Sequence, residues 1–319
     1  MKKDFISIKD LSLKEIMEIF SLSREIKKFS DAFSDKLKGK TIGLLFEKPS
    51  LRTRVSFETG INQMGGHPLY LSPQEVQLGK RESVPDAAKT ISRYLDAVII
   101  RTFSHKVILD FVQNAGIPVI NALTDLLHPA QVLSDMFTIY DKKKDLKKIK
   151  ASFIGDGNNI CNSLIFASAK LGLSLFIASP KGFEPDKKLV KQAERIALKT
   201  GAEITVTNSL KSAAKNSDVL YTDVWVSMGR ESEREKRLKA FSPFQLNREV
   251  LNLAKKDCLV MHCLPAHRGE EITNEVLDSK NSIVFEQAEN RLYVQKAILI
   301  ALFNRRRRTG RWAGMAHDS

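Results

Sequence analysis

The run Phe46-Glu47-Lys48-Pro49-Ser50-Leu51-Arg52-Thr53-Arg54 places two guanidinium groups and two hydroxyls directly behind the apolar stretch TIGLLF (41–46). Pro49 opposes continuation of a strand and Ser50 is a favoured N-cap; Val55, Phe57, Ile61 and Met64 then continue on a helical pattern until Gly65-Gly66. A helix starting here offers free N–H groups and partial positive charge to an anion, and Ser50, Arg52 and Thr53 add donors in its first turn. That combination suits a phosphate. An ordinary capped helix with two surface arginines accounts for the same residues equally well.

Two further loops add to the first. Arg101 ends the apolar run DAVIIR (96–101), and His128-Pro129-Ala130-Gln131 follows IPVINAL (117–123), with Pro129 suited to the first position of a helix. Ligands of open parallel sheets gather at the carboxyl ends of the strands. Three loops carrying Arg, Ser, Thr, His and Gln at one such edge would make a polar pocket rich in donors.

In the second half, Gly155-Asp156-Gly157-Asn158-Asn159 ends ASFIG (151–155), Asp223 with Ser227-Met228-Gly229 ends DVLYTDVW (218–225), and His262-Cys263-Leu264-Pro265 ends CLVMHCL (258–264). Ile160 stands where a dinucleotide fingerprint needs its third glycine, and LSLFIAS (173–179) closes on Ser179 rather than an acid. A nicotinamide cofactor is therefore not expected, nor, without a GxxxxGK[ST] run, a nucleoside triphosphate. Cys161, Cys258 and Cys263 form no CxxC pair, which argues against a disulfide framework or a structural zinc. Cys263 taken alone also reads as a small buried hydrophobe, because a nucleophilic thiol needs a base and an oxyanion hole that sequence adjacency does not supply.

The elements that must carry these loops follow from patterning. Leu13 to Phe29 repeats apolar residues on one helical face behind a Ser12/Glu15 capping box. Short β-like runs at 41–46, 67–71, 96–101 and 117–123 alternate with helical stretches. A second series at 151–155, 173–179, 203–207, 218–225, 258–264 and 282–286 does the same, and a helix from Gln287 to Phe303 closes the chain. This alternation predicts an α/β fold of two doubly wound domains with mostly parallel sheets. At about 150 residues per domain, 319 residues agree.

Composition sets the outer limits. With 43% hydrophobic residues and 17 Phe, disorder is excluded as the main state. AILIALF (297–303) falls far short of the roughly 20 residues a membrane span needs, and MKKDFISIKDL shows no apolar leader segment, so a soluble, cytoplasmic protein is expected. The net charge of +14 lies mostly in DKKKDLKKIK (141–150), expected as a linker or strand lead-in, and in the arginine-rich tail 305–319. Both are expected to be solvated. A nucleic-acid-binding role for the tail is the alternative, and it would show steep salt dependence.

Together the five motifs, in order and spacing, resemble the ornithine carbamoyltransferase family over residues 5–303. Leu51 stands where the family often has Thr, Ala130 where it usually has Cys or Thr, and the arginine tail lies outside the match. The resemblance implies a carbamoyl-phosphate-binding domain (1–140), an ornithine-binding domain (141–286), a C-terminal helix (287–304) packing back on the N-terminal domain, and a basic tail (305–319) expected to be disordered. It implies transfer of the carbamoyl group of carbamoyl phosphate to the δ-amine of L-ornithine, giving L-citrulline and phosphate, in arginine biosynthesis or degradation. No cofactor or metal is implied. The partners implied are the two substrates and like subunits in a homotrimer or a multiple of trimers, without membrane or nucleic acid.

By the same resemblance Ser50, Leu51, Arg52, Thr53 and Gln77 hold the phosphate, Gln77 in its own or a neighbouring subunit's site. Arg101, His128 and Gln131 hold the carbamoyl end, Cys263, Leu264 and Arg291 complete the site, and a cis Leu264-Pro265 bond is implied. Arg52, Arg101, His128 and Cys263 form the catalytic set; Asn159, Asp223, Ser227 and Met228 hold ornithine. Rivals within the class are carbamoyltransferases for putrescine or an acylated ornithine. A catalytically dead paralogue is opposed by the intact Arg52, Arg101, His128, Asp223 and Cys263.

Overall fold

Ser12 opens the first helix, Leu13–Lys28, as its spacing from Glu15 requires. The Ser12 hydroxyl accepts from the Glu15 N–H at 3.2 Å, and the Glu15 carboxylate accepts from the Ser12 N–H at 2.8 Å. The computed structural model describes residues 3–79 and 81–308. They divide into two units: one runs to Ala130 and takes up the chain again at Arg291, and the other is Gln131–Asn290.

The first unit holds β1 (Thr41–Phe46), β2 (His67–Leu71), β3 (Ala97–Arg101) and β4 (Val119–Leu123), all parallel, in the order β2-β1-β3-β4. Residues Ala97–Arg101 and Val119–Leu123 are buried throughout, the signature of strands covered on both faces. The order reverses at β1, which has β2 on one side and β3 on the other, so the loops leaving β1 and β3 are neighbours. Such reversal points are where doubly wound sheets open a ligand crevice. Phe46 lies opposite Arg101, and the register of β3 against β4 shifts between Ile100 and Arg101. That shift sits at the residue whose side chain must leave the sheet.

The second unit holds β5 (Lys150–Ile154), β6 (Ser174–Ala178), β7 (Ile204–Thr207), β8 (Val219–Thr222) and β9 (Leu259–His262), parallel in the order β7-β6-β5-β8-β9. Ile154, Leu220, Val260, Ile272 and Val276 form part of its core. Here the reversal falls at β5, between β6 and β8. The loops after β5 and β8 therefore meet.

Helix Val284–Arg308 ends the described chain. From Arg291 onward it packs on the first unit, with Arg291 Nη2 donating to Thr53 Oγ1 at 2.7 Å and Lys296 Nζ reaching Ser30 Oγ at 3.5 Å. The α/β class, the two parallel sheets and the returning helix agree with the sequence expectation.

Several local expectations are corrected. SIVFE (282–286) is not a strand: Ser282 makes one isolated bridge to Val260, and the helix begins at Val284, with the Gln287 N–H already bonded to the Ile283 carbonyl. A short apolar run carries no period long enough to separate strand from helix. β8 and β9 are shorter than their runs, because at Asp223 and Cys263 the chain turns to polar side-chain bonding. Of the two readings of the lysine segment, the strand lead-in holds and the linker does not. Asp141–Lys143 finish helix Pro129–Lys143, and the 3₁₀ turn Leu146–Lys148 leads into β5. The division between the two units falls inside this helix, between Ala130 and Gln131. The final helix runs on to Arg308, and the expected disordered tail, from residue 309, lies outside the described residues. Among the described residues no helix is long and apolar enough to cross a membrane.

Candidate functional site

In the first unit, the loop after β1 ends at Ser50, whose extended backbone and hydroxyl cap helix Leu51–Gln63; Ser50 Oγ accepts from the Thr53 N–H at 3.3 Å. The N–H groups of this first turn thus stand at the carboxyl edge of β1, as anion binding requires. Arg52 is half-buried in that turn, and Leu51 is 75% exposed. Thr53, Arg101, His128 and Arg291 are buried. Arg101 Nε donates to the Lys48 carbonyl at 3.2 Å, which ties the plane of its guanidinium to the phosphate-type loop. Arg291 donates to Thr53 Oγ1; since a guanidinium cannot accept, the Thr53 hydroxyl keeps its own proton for another partner. Gln77 is exposed, with a left-handed backbone (φ 42°) and its amide donating to the Gln74 carbonyl at 3.1 Å.

His128 joins this group electrostatically. Burial, together with the charges of Arg101 and Arg291, pushes its imidazole well below the ordinary value of 6.5. It is a neutral group at pH 7, able to hydrogen-bond without adding charge. The linkage has a definite sign. Below 6.5 the unfolded chain binds a proton that folded His128 refuses, so this residue makes stability fall as pH drops through that value. Urea unfolding at pH 7.5 and 5.5 should therefore show a smaller acid-side loss in His128→Asn than in the wild type. An equal loss would contradict the burial of a neutral imidazole.

The second unit gathers its polar groups at β5, β8 and β9. Asn158 caps helix Asn159–Leu171, its Oδ1 accepting from the N–H groups of Ile160 and Cys161 at 3.0 and 3.1 Å, so its amide nitrogen must point outward. That nitrogen donates to Asp223 Oδ2 at 2.7 Å. The other oxygen of Asp223 accepts from the Val224 N–H at 2.8 Å and from the Cys263 thiol at 2.9 Å. The buried Asp223 carboxylate is thus held in one orientation by groups from three loops. Asn159 is half-buried at the start of its helix, Ser227 is half-buried, and Met228 is 47% exposed on the loop beyond Trp225.

His262 supports the last loop. Its Nδ1 accepts from the Leu264 N–H at 2.8 Å, which leaves the proton on Nε2, 3.0 Å from Glu271 Oε1. Leu264 has φ 57° and the Leu264-Pro265 bond is cis, as the resemblance implied. Asp223, His262 and Cys263 bring potential ligand atoms within 4.8 Å of one another, yet both nitrogens of His262 are already committed.

Two groups of supporting residues escaped the sequence reading. The buried Arg237 donates to Asp156 at 2.8 Å, to Glu233 at 2.8 Å and to the Trp225 carbonyl at 3.1 Å, fastening the loops after β5 and β8. Burial pushes the Asp156 carboxyl up and Arg237 opposes this. Gly157 lies so close to the backbone at Glu184-Pro185 that a Cβ there would meet Pro185 N at 2.3 Å. The other group is a buried network on Asp135: Oδ1 accepts from Gln131 Nε2 at 2.9 Å and Gln287 Nε2 at 2.8 Å, and Oδ2 from the Tyr221 hydroxyl at 2.9 Å. Gln131 was expected in the site; Asp135, Tyr221 and Gln287 were not. The signal in sequence was faint, consisting of an Asp one helical turn beyond Gln131.

Comparison with known proteins matches both halves. Residues 3–141 fit the family model described as aspartate/ornithine carbamoyltransferase, carbamoyl-P binding domain, and residues 147–302 fit its Asp/Orn binding domain. The chain is 50% identical over 302 residues to an ornithine carbamoyltransferase of Syntrophus aciditrophicus, covering 94% of this chain and 99% of that one. It is 47% identical over 303 residues to a catabolic ornithine carbamoyltransferase of Thermoplasma acidophilum, covering 95% and 99%. The solved ornithine carbamoyltransferase of Pyrococcus furiosus superposes with a TM-score of 0.90 at 46% identity, covering 93% and 95%. Both family domains, in sequence and in fold, are therefore accounted for, and the chain belongs to the aspartate/ornithine carbamoyltransferase family.

Proposed function

We propose that the protein is an ornithine carbamoyltransferase, moving the carbamoyl group of carbamoyl phosphate to the δ-amine of L-ornithine and releasing L-citrulline and phosphate. The observation that carries this reading is the capped helix Leu51–Gln63 at the carboxyl end of β1, with Arg101, His128 and Arg291 buried in the same unit. Ser50, the first-turn N–H groups including that of Leu51, Arg52 and Thr53 would take the phosphate, with Gln77 from its own or a neighbouring subunit. Arg101, His128 and the Thr53 hydroxyl would face the carbamoyl oxygen, where Arg291 orients the hydroxyl. Gln131 would accept from the carbamoyl amine, and Leu264 would offer its carbonyl.

In the second unit Asp223, held by Asn158, would take the α-ammonium of ornithine, with Asn159, Ser227 and the Met228 backbone around the amino-acid end. Cys263 would lie beside them through its bond to Asp223. Attack by the neutral δ-amine forms the C–N bond and places negative charge on the carbonyl oxygen; collapse breaks the C–O bond and passes that charge to phosphate. Fixed donors aimed where this charge develops lower the barrier. The proton shed by the amine can pass to the departing phosphate, so no covalent enzyme intermediate is required. A second carboxylate on the substrate, as in aspartate, would call for extra cations, whereas this unit offers the acid Asp223.

The same transition state serves synthesis and breakdown, so the residues suit arginine biosynthesis and degradation alike. We extend the proposal to a trimer or multiple of trimers working in the cytoplasm, in keeping with the resemblance. The test is citrulline formation by the purified chain with ornithine, aspartate, putrescine and N-acetylornithine side by side.

A further inference from the structure

We propose that Asp135 fixes the side-chain amide of Gln131 in one orientation, so that Gln131 Oε1 accepts from the carbamoyl amine and the enzyme selects carbamoyl phosphate over acetyl phosphate, its methyl isostere. This rests on the carbamoyltransferase reading and adds a positioning residue to it.

The orientation follows from a chain of groups whose donor and acceptor roles leave no choice. It begins with the backbone N–H of His262, which can only donate, and does so to Gln287 Oε1 at 3.0 Å. The Gln287 amide is thereby set, and its Nε2 donates to Asp135 Oδ1 at 2.8 Å. The Tyr221 hydroxyl donates to Oδ2 at 2.9 Å, and burial together with Asp135 pushes the phenol well above its ordinary range, so it remains a donor. An ionised carboxylate only accepts. The group that Gln131 turns toward Oδ1, 2.9 Å away, must then be its NH₂.

An amide of uncertain orientation could turn either end to a ligand. Here the turned-over form would set two oxygens against each other beside a fully buried carboxylate. Gln131 Oε1 therefore faces away from Asp135 as an acceptor. The carbamoyl amine offers it a hydrogen, and the methyl of acetyl phosphate does not, leaving a buried oxygen without a partner. Sites built to bond a substrate N–H reject analogues lacking it far more strongly than apolar pockets reject a missing methylene.

The test compares wild type, Asp135→Leu, Asp135→Asn, Gln131→Met and the double variant Asp135→Leu/Gln131→Met. Citrulline synthesis is followed against carbamoyl phosphate, with acetyl phosphate and inorganic phosphate as competitive inhibitors. In Asp135→Asn the fixed Gln287 Nε2 holds an accepting oxygen at the Oδ1 position, so the Gln131 amide stays set and discrimination should be kept. Leucine has the branched shape of aspartate but offers no acceptor, so Asp135→Leu frees the Gln131 amide. The ratio of acetyl phosphate Ki to carbamoyl phosphate KM should fall about 10- to 100-fold, while the Ki for inorganic phosphate stays within about 2-fold. Gln131→Met should lower the ratio similarly, and the double variant should be no worse than Gln131→Met alone. Wild-type discrimination in Asp135→Leu, an equal rise in its phosphate Ki, or a further loss in the double variant would each overturn the proposal. Should Asp135→Leu not fold, Asp135→Ala takes its place with the same expected fall, and discrimination retained there overturns the proposal. A wild-type chain that makes no citrulline defeats the activity reading instead, a result separate from any difference between variants.

Discussion

Arg52→Ala should lower kcat/KM for carbamoyl phosphate by about 100- to 1000-fold, the loss seen when one preorganised donor to developing charge is removed. Arg52 stands in the first turn of helix Leu51–Gln63, where its backbone carbonyl accepts from Ser56 Oγ at 2.7 Å, and among the described residues nothing is hydrogen-bonded to its guanidinium. Alanine is a good helix former, so urea unfolding should shift by no more than about 0.5 kcal/mol. The two measurements separate a ligand-binding role from a structural one. Near wild-type turnover would contradict the phosphate assignment, and a large loss of stability would show that Arg52 supports the fold instead.

Asp223→Asn should have its effect on the other substrate. Removing one partner of a desolvated charge pair costs about 2–5 kcal/mol, or roughly 30-fold to several thousand-fold in kcat/KM for ornithine. The KM for carbamoyl phosphate should change far less. Asparagine keeps the size of the side chain and one accepting oxygen, so the bonds from Val224 and Cys263 to Oδ1 can persist. The contact with Asn158 cannot, because the Asn158 amide nitrogen, committed outward by its helix cap, would then face a second NH₂ group. An ornithine kcat/KM within about 3-fold of wild type would refute the α-ammonium role, since that is under 1 kcal/mol.

The parts of this site that could be read from sequence are those in which chemistry and chain geometry coincide locally. Ser50 announces a helix start and Arg52 lies two residues away; Pro129 does the same beside His128 and Gln131. Each motif follows a strand at once, so its place at the carboxyl edge needs only the α/β alternation. The strand ends were less legible. Hydrophobic periodicity runs on through Val224, Trp225 and Leu264, whereas the ladder stops where Asp223 and Cys263 turn to each other. SIVFE shows the same limit, as its apolar residues serve a helix start.

What sequence could not supply is pairing across long separations. Asp135 meets Tyr221 and Gln287, and Asp156 meets Arg237, across 86, 152 and 81 residues of sequence. None of these partners carries a local mark of its role. Asn158 was visible as an amide near the edge, but Asn159 was preferred for the substrate; the cap geometry shows that Asn158 is the one bonded to Asp223. The charge excess told least, since the buried Arg101 and Arg291 are a small part of +14.

The most direct test of the assigned activity is the rate of carbamoyl transfer by the purified, full-length chain to ornithine, putrescine, N-acetylornithine and aspartate at equal concentrations. The expected result is rapid formation of citrulline from ornithine, with the other three amines at least about 100-fold slower, the factor corresponding to some 2.8 kcal/mol of discrimination. Faster turnover of putrescine, or an absence of citrulline, would contradict it.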